Sequence, residues 1–256
     1  MVTIMLCFAR SGGTVLNQCL GCLPEVVILS EVNPLGGGWG VEAEASLTTV
    51  KAQAKGWYNI DLDSDEDDFV GCVVELSKKC KHLILRDWTV ANFLPNLGKT
   101  LEDEEIVFDP PKSFLILEDL QGHCDVKPFA FVRDAFDVYL SKGGNMPIFA
   151  ESYLCYVKEL LRLEVPVCRY EEFCVDPKHV LRTICEYTGI PYTDDWADYA
   201  KFTTVHGDIQ YNSRGQTQGQ IATLPRIKVH ESIATAIANC SELQEANRLL
   251  EYPMVF

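Results

Sequence analysis

Five short apolar runs, Val2–Phe8, Val26–Leu29, His82–Leu85, Phe129–Val132 and Val165–Cys168, punctuate this sequence, each bounded by turn formers or charges. Runs this short and rich in β-branched or aromatic residues are the mark of strands buried on both faces, as in a parallel sheet. Between them lie stretches that are amphipathic at helical spacing: Thr14–Leu23, Phe69–Cys80, Ala135–Leu140, Phe149–Leu163 and Pro177–Thr188. Parallel strands need crossover connections, and helices between strands supply them. The sequence therefore predicts a doubly wound α/β fold, a mostly parallel sheet of about five strands flanked by helices. Ligands of such sheets sit beyond the carboxyl ends of the strands, so the residues just past each run matter most.

With 256 residues, 47% of them apolar, the chain can build a sizeable core and reads as a single domain over 1–256. Residues 98–112, acidic at Leu101–Glu105 and then Asp109-Pro110-Pro111, read as a lid or insertion. The tail 216–256 reads as a loop and two helices, Glu231–Asn239 and Ser241–Leu250. The formal net charge is −15 and disfavours nucleic acid or anionic lipid as partners, so any anion it binds needs a local site. The acidic run Asp61–Asp68 carries Glu66 and Cys72 where a calcium loop wants Gly and Glu, and reads instead as a solvated loop opening a helix.

Most of the eleven cysteines read as reduced, buried small hydrophobes in a chain that does not need a disulfide framework. Cys19 and Cys22 form one C-x-x-C inside an expected helix with no second pair nearby, and the five histidines lack metal-type spacing, so no metal is expected. The N-terminal run is far below the roughly 20 residues of a membrane span and has no basic flank. The expectation is a soluble, cytoplasmic protein.

The first strand runs directly into Phe8-Ala9-Arg10-Ser11-Gly12-Gly13-Thr14 and then a helix. Glycines allow the backbone to curl into a nest of N–H groups, the helix N-terminus adds partial positive charge, and Arg, Ser and Thr add donors. That is an anion cradle; an ordinary strand-to-helix turn is the alternative. The nucleotide-kinase spelling G-x-x-x-x-G-K-[ST] occurs nowhere in the chain. A second signal is Phe131-Val132-Arg133-Asp134 leading to Ser141, eight residues beyond Arg133 and about two helical turns away. An Arg fork and a hydroxyl on one helix face can converge on a single phosphate, whereas pairing of Arg133 with Asp134 or Asp137 is the plainer alternative.

At both places the chain resembles the sulfotransferases, which move a sulfuryl group from 3′-phosphoadenosine 5′-phosphosulfate (PAPS) to an acceptor and release 3′,5′-adenosine bisphosphate (PAP). Their cradle reads Pro-Arg/Lys-Ser-Gly-Thr-Thr; here Ala9 replaces the Pro and Gly13 the first Thr. The resemblance implies that Arg10, Ser11, Gly12, Gly13 and Thr14 hold the 5′-phosphosulfate and that Arg133 and Ser141 hold the 3′-phosphate. Arg169-Tyr170-Glu171-Glu172 is similar to the family's Tyr-Glu-Asp segment, which gives Tyr170 to the adenine. Asn212-Ser213-Arg214-Gly215 falls where the family has a closing loop, which gives Arg214 to the 3′-phosphate.

Transfer to a hydroxyl needs a base. Glu31, in Leu29-Ser30-Glu31-Val32-Asn33-Pro34, comes after the second strand beside the cradle, and the tyrosylprotein branch of the family uses a Glu in the corresponding place. Glu31 is thus the first candidate base and Arg10 its catalytic companion, with Asp87 of Arg86-Asp87-Trp88 second; a Glu31–Arg10 ion pair is the structural alternative. Loops over 35–68 and 88–125, Phe93 among them, are expected to form the acceptor pocket for a small-molecule, lipid or peptide hydroxyl. Two other readings stay open: an atypical P-loop kinase or other nucleotide-dependent transferase, and a non-catalytic nucleotide-binding module.

Overall fold

The computed structural model describes residues 1–35, 49–95, 109–206 and 220–253. Its first half runs β1 (Val2–Leu6), α1 (Gly13–Gly21), β2 (Val26–Val32), α2 (Val50–Tyr58), α3 (Phe69–Lys79), β3 (His82–Asp87), α4 (Val90–Phe93) and α5 (Leu115–Leu120). The second half runs β4 (Val126–Val132), α6 (Ala135–Lys142), α7 (Met146–Arg162), β5 (Val167–Arg169), α8 (Tyr170–Val175), α9 (Pro177–Thr188), a 3-10 helix over Asp194–Lys201, α10 (Glu231–Ala238) and α11 (Ser241–Leu249).

The strands form one five-stranded sheet in the order β2-β3-β1-β4-β5, and every pairing is parallel. β1 is buried throughout because helices cover both faces of the sheet. Its alternation sorts the two cores. Val2, Ile4 and Leu6 face a layer containing Leu76 of α3, Phe136 of α6, Tyr153 of α7 and Leu243 of α11, whereas Met5 faces Leu16 of α1, Phe173 of α8 and Leu181 of α9. The chain leaves β1 for β2 on one side, returns to β3 between them, then crosses to β4 on the other side. Such a reversal opens a crevice at the carboxyl ends of the strands around β1.

The edge strand β2 is closed by side chains rather than by another strand. Gln53 accepts from the Ser30 N–H and donates to the Ser30 carbonyl, both at 2.8 Å, and the Tyr58 hydroxyl accepts from the Ile28 N–H at 3.1 Å and donates to its carbonyl at 2.9 Å. Two side chains of α2 thus satisfy backbone groups that an exposed edge would offer to another chain. Helices α2, α4 and α5 fall in the 35–68 and 88–125 stretches where loops were expected. In the acidic run, Asp68 caps α3 by accepting from the Gly71 N–H at 2.7 Å. Residues 96–108, which hold most of the expected lid, lie outside the described residues.

Candidate functional site

All of the described chemistry-bearing residues singled out in the sequence sit at the carboxyl edge of the sheet. The turn after β1 carries two residues in the left-handed region, Arg10 at φ 72° and Gly12 at φ 85°. Gly12 has a second reason to be glycine: a Cβ there would lie 2.4 Å from the Tyr170 ring. At Gly13 a Cβ would meet the Cys7 sulfur at 2.6 Å. The turn is therefore packed as tightly from below as its backbone is curled. No side chain caps α1, whose N-terminus opens into this turn, while α2, α3, α6, α7 and α9 are each capped by a side chain.

Arg10 ties the turn to the end of β4. Its Nε donates to the Ser141 hydroxyl at 2.9 Å, and its carbonyl accepts from Arg133 Nη1 at 3.2 Å. Arg133 lies over the Tyr170 ring at 4.8 Å, its Nη2 is 3.9 Å from Asp137, and its buried Nε has no hydrogen-bond partner among the described residues. Ser11 is fully buried and its hydroxyl is likewise unpartnered among them. A buried orphan donor costs about 1–3 kcal/mol, so each marks a place where a further acceptor is wanted.

A small cleft opens beside the turn, lined by Arg10, Gly13, Thr14, Glu31, Arg86 and Asp87 together with Phe8, Trp88 and Val90. Glu31 is reached through a distortion. Its φ is 56°, and the β2–β3 register shifts between Ser30 and Val32, so the bulge turns its carboxylate across to β3. There it accepts from Arg86 Nη2, not from Arg10 as the sequence alternative had it. Arg86 also donates from Nη2 to the His206 carbonyl at 3.2 Å, and its buried Nη1 has no partner among the described residues.

Asp87 sits one residue on, 1% exposed. It accepts from Asn33 at 2.8 Å, Thr89 at 2.9 Å and Asn92 at 3.2 Å. None of these donors carries charge, and burial outweighs them, pushing the carboxyl up to about 7. Thr89 also accepts from the Cys7 N–H at 3.2 Å, which links the β3 end to the turn. Burial pushes the Cys7 thiol up to about 12, which makes it a wall and not a nucleophile.

The structure thus brings Arg10, Gly13, Thr14 and Glu31 to one cleft, and joins Arg133 and Ser141 to it through Arg10. Ser11, Gly12 and Tyr170 form the packed floor behind the turn. Arg214 lies outside the described residues. Sequence reasoning missed Arg86 as the partner of Glu31, because the pair depends on the bulge in β2 and on β2 lying against β3. It also missed Arg226, which donates to Asp137 at 2.8 Å and to Asp134 at 3.0 Å, and which no local motif announces. Among the described residues no cluster of three or more His, Cys, Asp or Glu is placed to hold a metal ion, and no helix is long and apolar enough to cross a membrane.

No family model and no curated protein matches this sequence. Solved structures do resemble it. The sulfotransferase domain of the Synechococcus PCC 7002 olefin synthase superposes with a TM-score of 0.61 at 14% identity, covering 98% of this chain and 94% of that one. The sulfotransferase domain of the curacin biosynthetic pathway gives 0.56 at 16% identity, covering 98% and 97%. A mouse sulfotransferase complexed with PAP gives 0.43 at 14% identity, covering 98% and 89%. With its all-parallel sheet, its helical layers and these neighbours, the chain has a sulfotransferase-like fold.

Proposed function

We propose that this protein is a sulfotransferase that moves a sulfuryl group from PAPS to an acceptor hydroxyl by in-line displacement. The observation that carries the reading is Arg10, which lines the cleft beside Glu31 while bonding Ser141 with its side chain and Arg133 with its carbonyl. One residue thereby joins the cleft to a second cation and a hydroxyl, the arrangement a nucleotide with phosphate groups at both ends of its ribose requires. The unpartnered donors of Ser11 and Arg133 fit such a ligand, because phosphate oxygens supply the acceptors those atoms lack.

In this reading the turn from Arg10 to Thr14 holds the 5′-phosphosulfate, its N–H groups and the uncapped end of α1 facing the anion. Arg133 and Ser141, with Arg214, hold the 3′-phosphate. Tyr170 backs Gly12 and gives its edge to the adenine. Glu31 takes the acceptor proton as the acceptor oxygen bonds to sulfur. The bond from sulfur to the bridging oxygen breaks, its electron pair leaves with PAP, and Arg10 stabilises the charge that grows there. Trp88, Phe8 and Val90 give the cleft an apolar side suited to the carbon frame of a small alcohol, phenol, lipid or peptide tyrosine.

Thermal unfolding with PAP against ATP–magnesium tests the reading. Stabilisation by PAP is expected; stabilisation by ATP–magnesium alone would turn the assignment to a kinase. Radiolabelled PAPS with a panel of hydroxyl acceptors then separates enzyme from binding module.

A further inference from the structure

Arg133 stands among acids of its own chain. Asp134 caps α6, accepting from the N–H groups of Phe136 at 2.8 Å and Asp137 at 3.3 Å. Asp137 lies one turn from Arg133, and Glu171 of α8 accepts from the Asp134 N–H at 3.4 Å. In such company an arginine has intramolecular partners that compete with any anionic ligand. Glu171 is held aside, since the Tyr252 hydroxyl donates to it at 2.6 Å. The two aspartates are held by Arg226, from the stretch ahead of α10. Its Nε donates to Asp137 at 2.8 Å, its Nη2 donates to Asp134 at 3.0 Å, and its guanidinium lies over the Phe136 ring at 5.6 Å.

The two arginines therefore hold Asp137 unequally. Arg226 makes a charge-assisted hydrogen bond, whereas Arg133 at 3.9 Å makes none. Remove Arg226, and Asp137 is left half-buried with Arg133, just ahead of α6, as the cation 3.9 Å away. Closing less than an ångström and a half would satisfy Asp137, and would take the Arg133 fork with it.

We propose that Arg226 is a positioning residue for the 3′-phosphate of the donor: by engaging Asp134 and Asp137 it keeps Arg133 off them and available to phosphate. The proposal rests on the reading of Arg133 as the 3′-phosphate ligand, and it makes the C-terminal segment part of the donor site although its described residues contribute no group to the cleft lining.

Calorimetric titration of PAP and of adenosine 5′-monophosphate, which lacks the 3′-phosphate, tests it on wild type, Arg226→Ala, Asp137→Asn and the double variant. Arg226→Ala is expected to weaken PAP by about tenfold or more, ~1.4 kcal/mol, and the monophosphate by less than about twofold. Adding Asp137→Asn is expected to restore PAP binding to within about threefold of wild type, because the competing charge is gone. Equal weakening of both nucleotides, or no rescue by Asp137→Asn, overturns the proposal and leaves Arg226 a structural clamp. Should Arg226→Ala lose its cooperative unfolding transition, Arg226→Gln, which keeps a hydrogen bond without the charge, is read by the same two criteria. If wild type binds the monophosphate as tightly as PAP, the fault lies earlier, in the assignment of Arg133, and the proposal falls with it.

Discussion

The β1–β4 and β2–β3 sides of the site hold their arginines and carboxylates differently: Glu31 bonds Arg86, whereas Asp137 stands 3.9 Å from Arg133 without a hydrogen bond between them. At the β1–β4 end, Arg10 donates to the Ser141 hydroxyl, and Arg133 donates to a carbonyl, lies over the Tyr170 ring and keeps Asp137 at 3.9 Å. At the β2–β3 end, Arg86 is paired with Glu31 through Nη2, its buried Nη1 is unpartnered among the described residues, and Asp87 sits among uncharged donors. A cation whose buried Nε still wants an acceptor, as in Arg133, suits a bound anion. A carboxylate held by a cation next to an acid that burial drives toward neutrality suits a proton in transit. In the proposed reading, binding and proton handling fall on separate pairs of strands.

The sharpest way to break that division is Glu31→Gln. Turnover should fall by roughly 10²–10⁴, the usual contribution of a positioned base, while PAP affinity measured by calorimetry stays within about twofold of wild type. A Glu31→Gln enzyme as fast as wild type removes Glu31 as the base. A variant that loses PAP binding instead dissolves the division between the two ends.

Asp87 offers the next largest effect, and it is read as stability. An unfolded Asp titrates near ~3.9, whereas burial holds Asp87 at about 7 in the folded chain. Between those values the folded protein binds the extra proton, so the contribution is complete below the unfolded value and is lost as pH rises through about 7. The loss amounts to roughly 4 kcal/mol at most. Urea unfolding from pH 4 to 8 should therefore show a downward slope that Asp87→Asn flattens. An identical slope in the variant would mean that Asp87 is ionised throughout.

Arg133→Ala acts at the other end and should leave the base untouched. PAP affinity is expected to drop by about 10- to 100-fold, in line with ~1.5–3 kcal/mol for hydrogen bonds to charged groups, with turnover at saturating PAPS little changed. A fall in turnover without loss of affinity would place Arg133 in proton handling and merge the two ends.

How much of this was legible in the sequence depends on how local each feature is. The parallel sheet could be read because burial on both faces writes itself as short apolar runs, and the turn after β1 because a strand, two glycines and a helix are contiguous. The eight-residue separation of Arg133 and Ser141 pointed to one shared face, and Arg10 bonds both of them. The Glu31–Arg86 pair could not be read that way. It exists because a bulge places one residue of β2 at φ 56° and because β2 lies against β3, and neither fact has a local spelling. Arg226 was hidden by distance, 89 residues from Asp137. Helix α2 was missed because its most informative residue, Gln53, is polar and yet fully buried, the reverse of an amphipathic pattern.

Gln53 also gives the smallest and most discriminating effect on the two-ended plan. It pairs with both backbone groups of Ser30, whose hydroxyl in turn accepts from the His206 N–H at 3.1 Å, and Ser30 is the residue immediately before the bulge. The geometry of Glu31 thus hangs on a side chain from α2. Gln53→Met keeps the volume but leaves the Ser30 N–H and carbonyl without partners, a destabilisation of about 1–3 kcal/mol. Part of that strain can be relieved by letting the bulge shift, which moves the Glu31 carboxylate relative to Arg86. Turnover is therefore expected to fall by less than about tenfold, well short of Glu31→Gln, with PAP affinity unchanged because Gln53 bonds β2 and not the residues assigned to the phosphates. Thermal unfolding and calorimetry on the same preparation separate the two contributions. Should Gln53→Met lower the melting temperature and leave turnover per folded molecule intact, Ser30 would be anchored by the sheet itself, and the left-handed turn at Glu31 would be a property of β2 alone.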